Sequence, residues 1–122
     1  MQSSREMILQ YAKERYGTEP EYLWAKFPNY AVLRQRELGK WYAIIMDVPG
    51  KKLGLDTAAH VDILDIKCDP LLIGSLRESR GFLPAYHMNK DKWIALLLDG
   101  SVPQDQVLKL LDLSYDITKK GK

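Results

Sequence analysis

The chain has 122 residues, 46% of them hydrophobic and 28% charged, with 18 basic against 16 acidic side chains. That balance excludes a disordered or fibrous chain, and the size supports one contiguous core without disulfide or metal staples. The longest apolar runs, Tyr42 to Met46 and Trp93 to Leu98, fall far short of the ~20 residues of a membrane-spanning helix.

The first six residues carry no basic stretch leading into an apolar one, so neither a secretion signal nor membrane attachment is expected, and the cytoplasm is the expected compartment. One cysteine, Cys68, cannot close an internal disulfide, which agrees with a reducing compartment. A net charge of +2 does not by itself announce a polyanion, but a local basic excess runs from Lys26 to Lys52: Lys26, Arg34, Arg36, Lys40, Lys51 and Lys52 against Glu37 and Asp47. Such a patch attracts phosphates; it also reads as a solvated sheet face.

In chain order, Ser3 and Glu6 have the spacing of a capping box, and Met7, Ile8, Tyr11, Ala12 and Tyr16 recur at helical spacing until Gly17. These predict an opening amphipathic helix. Residues 18–30 hold Pro20 and Pro28 and read as an irregular or edge segment. Residues 31–36 form a short strand that turns through Glu37 to Lys40 into a second strand over 41–48. Strict alternation places Trp41, Ala43, Ile45 and Asp47 on one face of that strand, with Tyr42, Ile44, Met46 and Val48 on the other.

Residues 49–60, with Gly50 and Gly54, form a loop, and 61–68 return as a strand. Asp69 is the N-cap and Pro70 the first residue of a short helix to about Glu78. Residues 79–91 read as irregular, 93–98 as the last strong strand, and Val107, Leu108, Leu110, Leu111, Ser114 and Tyr115 as the stripe of a C-terminal helix. The reading is one α+β domain over residues 1–118: an antiparallel sheet with the N- and C-terminal helices packed on one face. Residues 119–122 form a frayed basic tail in which Lys119, Lys120 and Lys122 complement the helix dipole.

Two histidines and one cysteine at unmatched spacings give no metal site, and no cofactor motif is present. A Cys68–His87 catalytic pair is conceivable because such pairs meet in space; a small buried thiol is the plainer reading. The densest cluster of polar chemistry is Tyr86-His87-Met88-Asn89-Lys90 with Lys92 and Trp93. Aromatic rings interleaved with lysines stack on bases while the cations meet phosphates. Tyr86 and Trp93 also read as packing residues, Asn89 as a turn cap, and His87 and Lys90 fit either role.

Pro84-x-Tyr86-His87-Met88-Asn89-Lys90-x-x-Trp93, with Trp24-x-Lys26, Ala31-Val32-Leu33-Arg34, Lys40-Trp41-Tyr42-Ala43, Lys67-Cys68-Asp69-Pro70 and Ser114-Tyr115, resembles the MmcQ/YjbR family from about Tyr22 to Tyr115. The resemblance implies a CyaY-like, that is frataxin-like, two-layer sandwich and a DNA-binding role, with loop 49–60 as a wing. Carried over by position, it puts Arg34, Lys40, Lys67, His87, Asn89 and Lys90 on the sheet side away from the helices. The acidic ridge with which frataxins hold iron is not expected, because the first helix mixes Arg5, Lys13 and Arg15 with Glu6 and Glu14.

The expected function is non-enzymatic, salt-sensitive DNA binding by a monomer, through Lys26, Arg34, Lys40, Trp41, Lys67, His87, Asn89 and Lys90. The alternative is a module for a small molecule or protein partner, using a pocket of Trp24, Trp41, Tyr86 and His87.

Overall fold

The alternating apolar stretches pair into one antiparallel sheet. The computed structural model describes residues 4–119, in the order α1 (Ser4–Tyr16), β1 (Ala31–Arg34), β2 (Trp41–Pro49), a 3-10 turn over Gly50–Leu53, β3 (His60–Lys67), α2 (Pro70–Leu76), β4 (Phe82–Pro84), β5 (Trp93–Leu97) and α3 (Gln104–Lys119). The strand order is β1-β2-β3-β5-β4. All neighbours run antiparallel. The Ser3 cap and the tail lysines Lys120 and Lys122 lie outside the described residues, while Lys119 closes α3.

Helix α1 stops at Gly17, whose φ of +69° lets its amide reach back to the Lys13 carbonyl at 3.0 Å, the bond of an αL cap, while the Thr18 amide meets the Ala12 carbonyl at 3.2 Å. Asp69 caps α2 as expected, accepting the Leu71 amide at 2.9 Å, with Pro70 following. Strand β4 falls where the sequence reads as irregular. Three residues ending in a proline give little periodic signal, and Pro84 is tolerated because β4 is an edge strand.

All three helices contribute to the core on one side of the sheet. Ile8 and Ala12 of α1, Ile73 of α2 and Val107, Leu110 and Leu111 of α3 pack on Leu33, Ala43, Ile45, Leu64, Ile66 and Leu96. Asp112 ties α1 to α3 by accepting from the hydroxyls of Tyr11 and Tyr16 and from Arg15 Nε.

One expectation about β2 fails. The register runs Leu33 to Ala43 and then Arg34 to Trp41, skipping Tyr42, so Tyr42 is an extra residue in the ladder, a β-bulge. The bulge turns Tyr42 onto the helix side with Ala43 and Ile45, and Trp41 onto the opposite side with Ile44, Met46 and Val48. At the same place β2 and β3 part after Ala43–Ile66, and α3 supplies the missing bonds. The buried Ser114 hydroxyl donates to the Tyr42 carbonyl at 2.5 Å and accepts the Lys67 amide at 2.9 Å. Tyr42 is fully buried, with its hydroxyl on Thr18 Oγ1 at 2.7 Å.

Replacing Ser114 with alanine strands one backbone carbonyl and one amide. Ser114→Ala is expected to cost about 2–4 kcal/mol of stability, read as a lower urea midpoint at unchanged slope. A loss near zero would mean that the hydroxyl is dispensable at this junction.

Candidate nucleic-acid interface

The register that buries one face of the sheet under helices sends a second set of side chains the other way. Val32, Ile44, Met46, Val48, Ile63 and Ala95 form a smaller apolar layer there, covered by two irregular segments, residues 21–30 and 85–90. The first is anchored where Glu21 pairs with the β1 edge, its amide and carbonyl bonded to Val32 at 3.0 and 2.9 Å. It lays Trp24 edge-on to Trp41 at 5.9 Å, and stacks Phe27 on Tyr30 at 4.7 Å.

The second segment carries the Tyr-His-Met-Asn-Lys run. Among the described non-glycine residues His87 has a positive φ, +62°. This conformation is uncommon for a side-chain-bearing residue and costs of order 1 kcal/mol unless its surroundings fix it. The Tyr86 and His87 rings lie 3.9 Å apart. Asn89 shapes the turn: its side-chain oxygen accepts the Asp91 amide at 2.8 Å and its carbonyl the Trp93 amide at 2.9 Å.

Between these segments lies a cavity of about 260 Å³ walled by Trp24, Phe27, Tyr30, Trp41, Tyr86 and His87. Ile44 and Met46 of β2 form its floor. At the Trp41 end the sheet register sets Arg34 opposite Trp41, and Lys67 opposite Trp93. Each cation lies near its indole, at 5.9 and 5.7 Å respectively, within cation–π range. Burial first, and then the like charges of Lys40 and Lys92, hold the Lys67 ammonium below the usual lysine range. Among the described residues none of Lys40, Lys67 and Lys92 forms an ion pair, so the three make an unpaired positive end, with Asp69 and Asp116 lining a helix-side cavity beside Lys67.

The other expected cations are placed differently. Arg34 is engaged by Glu21 at 2.8 Å, so it enters the site already neutralised. Lys26 lies away from the lysine trio, in an adjoining cavity with Lys52, His60 and His87. Lys90 bears electrostatically on Asp65. The expected basic face is therefore two separate groups. Cys68 packs in the helix-side core while His87 lines the cavity on the opposite face, which rules out a Cys68–His87 pair. Among the described residues no cluster of three or more His, Cys, Asp or Glu is placed to hold a metal ion, and no helix is long and apolar enough to cross a membrane.

Sequence reasoning passed over Asp65. It is fully buried on β3 between Ile44 and Ala95, and accepts the Tyr86 amide at 3.2 Å. Burial pushes its carboxyl up to about 8, against the opposing pull of the Tyr86 amide and the Lys90 ammonium. The signal was present, because a carboxylate interrupts a strand that is otherwise apolar at its centre. Lys92 was also outside the expected site. It belongs there because Lys67 and Trp93 are sheet partners.

The YjbR family model matches residues 13–117. The Bacillus subtilis protein YyaQ is 44% identical over 116 residues, covering 95% of this chain and 98% of YyaQ. Escherichia coli YjbR is 38% identical over 53 residues, which cover 43% of this chain and 45% of that protein. A crystal structure of a Pseudomonas syringae protein superposes with a TM-score of 0.91 at 43% identity, covering 93% of this chain and 97% of that one. A Deinococcus radiodurans protein superposes at 0.72 and 26% identity, covering all of this chain and 83% of its own.

The raised Asp65 pKa has a consequence of defined sign. The folded state holds the proton more tightly than the unfolded chain, so stability from this group is full below about pH 4. It falls by up to about 1.4 kcal/mol per pH unit towards pH 8 and levels off beyond. Urea midpoints measured from pH 4 to 9 are expected to follow that slope in the parent and to flatten in Asp65→Asn. The same slope in both proteins would remove Asp65 as its source.

Proposed function

The chain belongs to the YjbR family, and we propose that it binds DNA, as a single strand, on the helix-free face of its sheet, without catalysing a reaction. The observation that carries this reading is the trio Lys40, Lys67 and Lys92, none in an ion pair among the described residues, near a cavity with aromatic walls. Phosphates draw cations and unstacked bases draw aromatic faces, and single-strand binding requires both in one groove. A duplex offers no free base faces to Trp24 and Trp41. From Trp41 to Val48 the face is about 23 Å long at ~3.3 Å per strand residue, which suits the lower end of the roughly 4–16 nucleotides that single-strand folds cover.

In this reading Lys40, Lys67 and Lys92 meet the backbone, Trp41 and Trp24 take a base, and His87 and Lys90 border it. Arg34 orients Trp41, and Asn89 fixes the turn. The concave, aromatic lining of the cavity favours a second reading, a small planar ligand, which a thermal-shift screen separates because a native-state binder raises the melting temperature in the absence of DNA.

Anisotropy titrations of labelled single-stranded and duplex DNA test the proposal. Three phosphate contacts on a single strand give a log–log salt slope of about −2. Lys67→Glu is expected to make the slope shallower by about 0.7, and Trp41→Ala to weaken binding by about 1–3 kcal/mol at unchanged slope. Absence of binding at about 50 μM protein, within the ordinary range of nonspecific affinities, at low and physiological salt alike would overturn it.

A further inference from the structure

A second cavity, of about 300 Å³, adjoins the aromatic one. Phe27, Tyr30, Tyr86 and His87 line both, and the shared rim at Phe27 and His87 is exposed. Its chemistry differs. Three segments distant in sequence bring Lys26, Lys52, His60 and His87 to its walls. The single carboxylate there, Asp47, is already engaged, by His60 Nδ1 at 3.6 Å and Asn29 Nδ2 at 3.3 Å. Among the described residues neither Lys26 nor Lys52 forms an ion pair.

The turn after Pro49 closes this end of the face: the Gly50 amide bonds the Ala59 carbonyl at 2.9 Å. A Cβ on Gly50 would lie 2.4 Å from the Thr57 side chain, so the loop folds tightly on itself. A groove that is cationic, concave and closed at one end suits a chain terminus better than a continuing backbone. A terminal phosphate monoester also carries close to two negative charges near neutrality, where an internal diester carries one.

We infer that the two cavities together form one site for a nucleotide bearing a terminal phosphate monoester, the base in the aromatic cavity against Trp24 and Trp41 and the phosphate among Lys26, Lys52, His60 and His87. Placing the base in the aromatic cavity rests on the reading in the previous subsection; the phosphate pocket does not. The same chemistry is offered by a free mononucleotide and by the phosphorylated end of a strand.

The test uses labelled oligothymidines of about ten nucleotides, within the usual single-strand site size, bearing a 5′-phosphate, a 3′-phosphate or neither. Thymidine monophosphate is titrated separately and followed by quenching of tryptophan fluorescence. One terminally phosphorylated oligomer is expected to bind about tenfold more tightly than the unphosphorylated one, a difference of about 1.4 kcal/mol. The exposed double substitution Lys26→Gln with Lys52→Gln is expected to erase that difference while leaving the unphosphorylated oligomer's affinity in place.

Equal affinity for all three oligomers overturns the phosphate pocket and leaves the single-strand reading standing. Quenching by the mononucleotide that the double variant abolishes, with no oligomer bound, upholds the pocket and overturns the strand. Silence from every probe overturns both.

Discussion

The Ser114 hydroxyl holds two strands apart and bonds to both. Where β2 and β3 cease to pair, a buried oxygen on α3 gives its proton to the Tyr42 carbonyl and accepts the Lys67 amide. Two backbone groups that would otherwise be buried and orphaned are thereby satisfied. This permits the bulge at Tyr42, and the bulge decides which indole faces which way. With strict alternation Trp41 would share a side with Ala43; with the bulge it stands over the helix-free face beside Arg34. A hydroxyl on the far side of the molecule thus sets the position of a residue in the candidate site, and the Ser-Tyr pair late in the chain acquires a physical reason.

A second constraint acts from below. The face opposite the helices is closed by segments lacking regular structure, and such segments need fixed points to hold a cavity open. Asp65 is one, bonding the Tyr86 amide from inside the sheet, and the Asn89 turn is another. Between them His87 is held in a left-handed conformation that two anchored flanks sustain and a free loop would not. The aromatic wall is therefore supported on both sides of its most strained residue, the arrangement a preformed binding cavity requires.

Much of this was legible in the residues. Period-two alternation located four of the five strands and helical spacing the two terminal helices, and Asp69-Pro70 announced the start of the short one. The bulge was hidden because β2 is apolar on both faces, so no polar residue marked the slip. Strand β4 was too short to show a period. Lys40, Trp41 and Lys67 lie at adjoining ends of β2 and β3. Arg34 and Lys26 were not separable from them in sequence, because Glu21, which neutralises Arg34, and Lys52, which joins Lys26, arrive from other segments. Asp65 and Lys92 enter through sheet pairing, which single-strand patterns do not encode.

Net charge is a poor guide to what such a surface attracts. The chain carries +2 overall, yet burial, and after it the like charges of Lys40 and Lys92, holds Lys67 below the usual lysine range, while Asp112 of α3 is spent on Arg15 and two tyrosines. At physiological ionic strength charges interact over about 8 Å, so an approaching anion responds to the nearest few groups and hardly to the total. Three ammonium groups free of direct ion pairs beside a low-dielectric aromatic wall form a stronger local attractor than the same three dispersed over the surface. Relief of their mutual repulsion then adds to the attraction when a phosphate arrives. A nearly neutral domain can in this way present a salt-sensitive anion site, with selectivity coming from the aromatic cavity beside it.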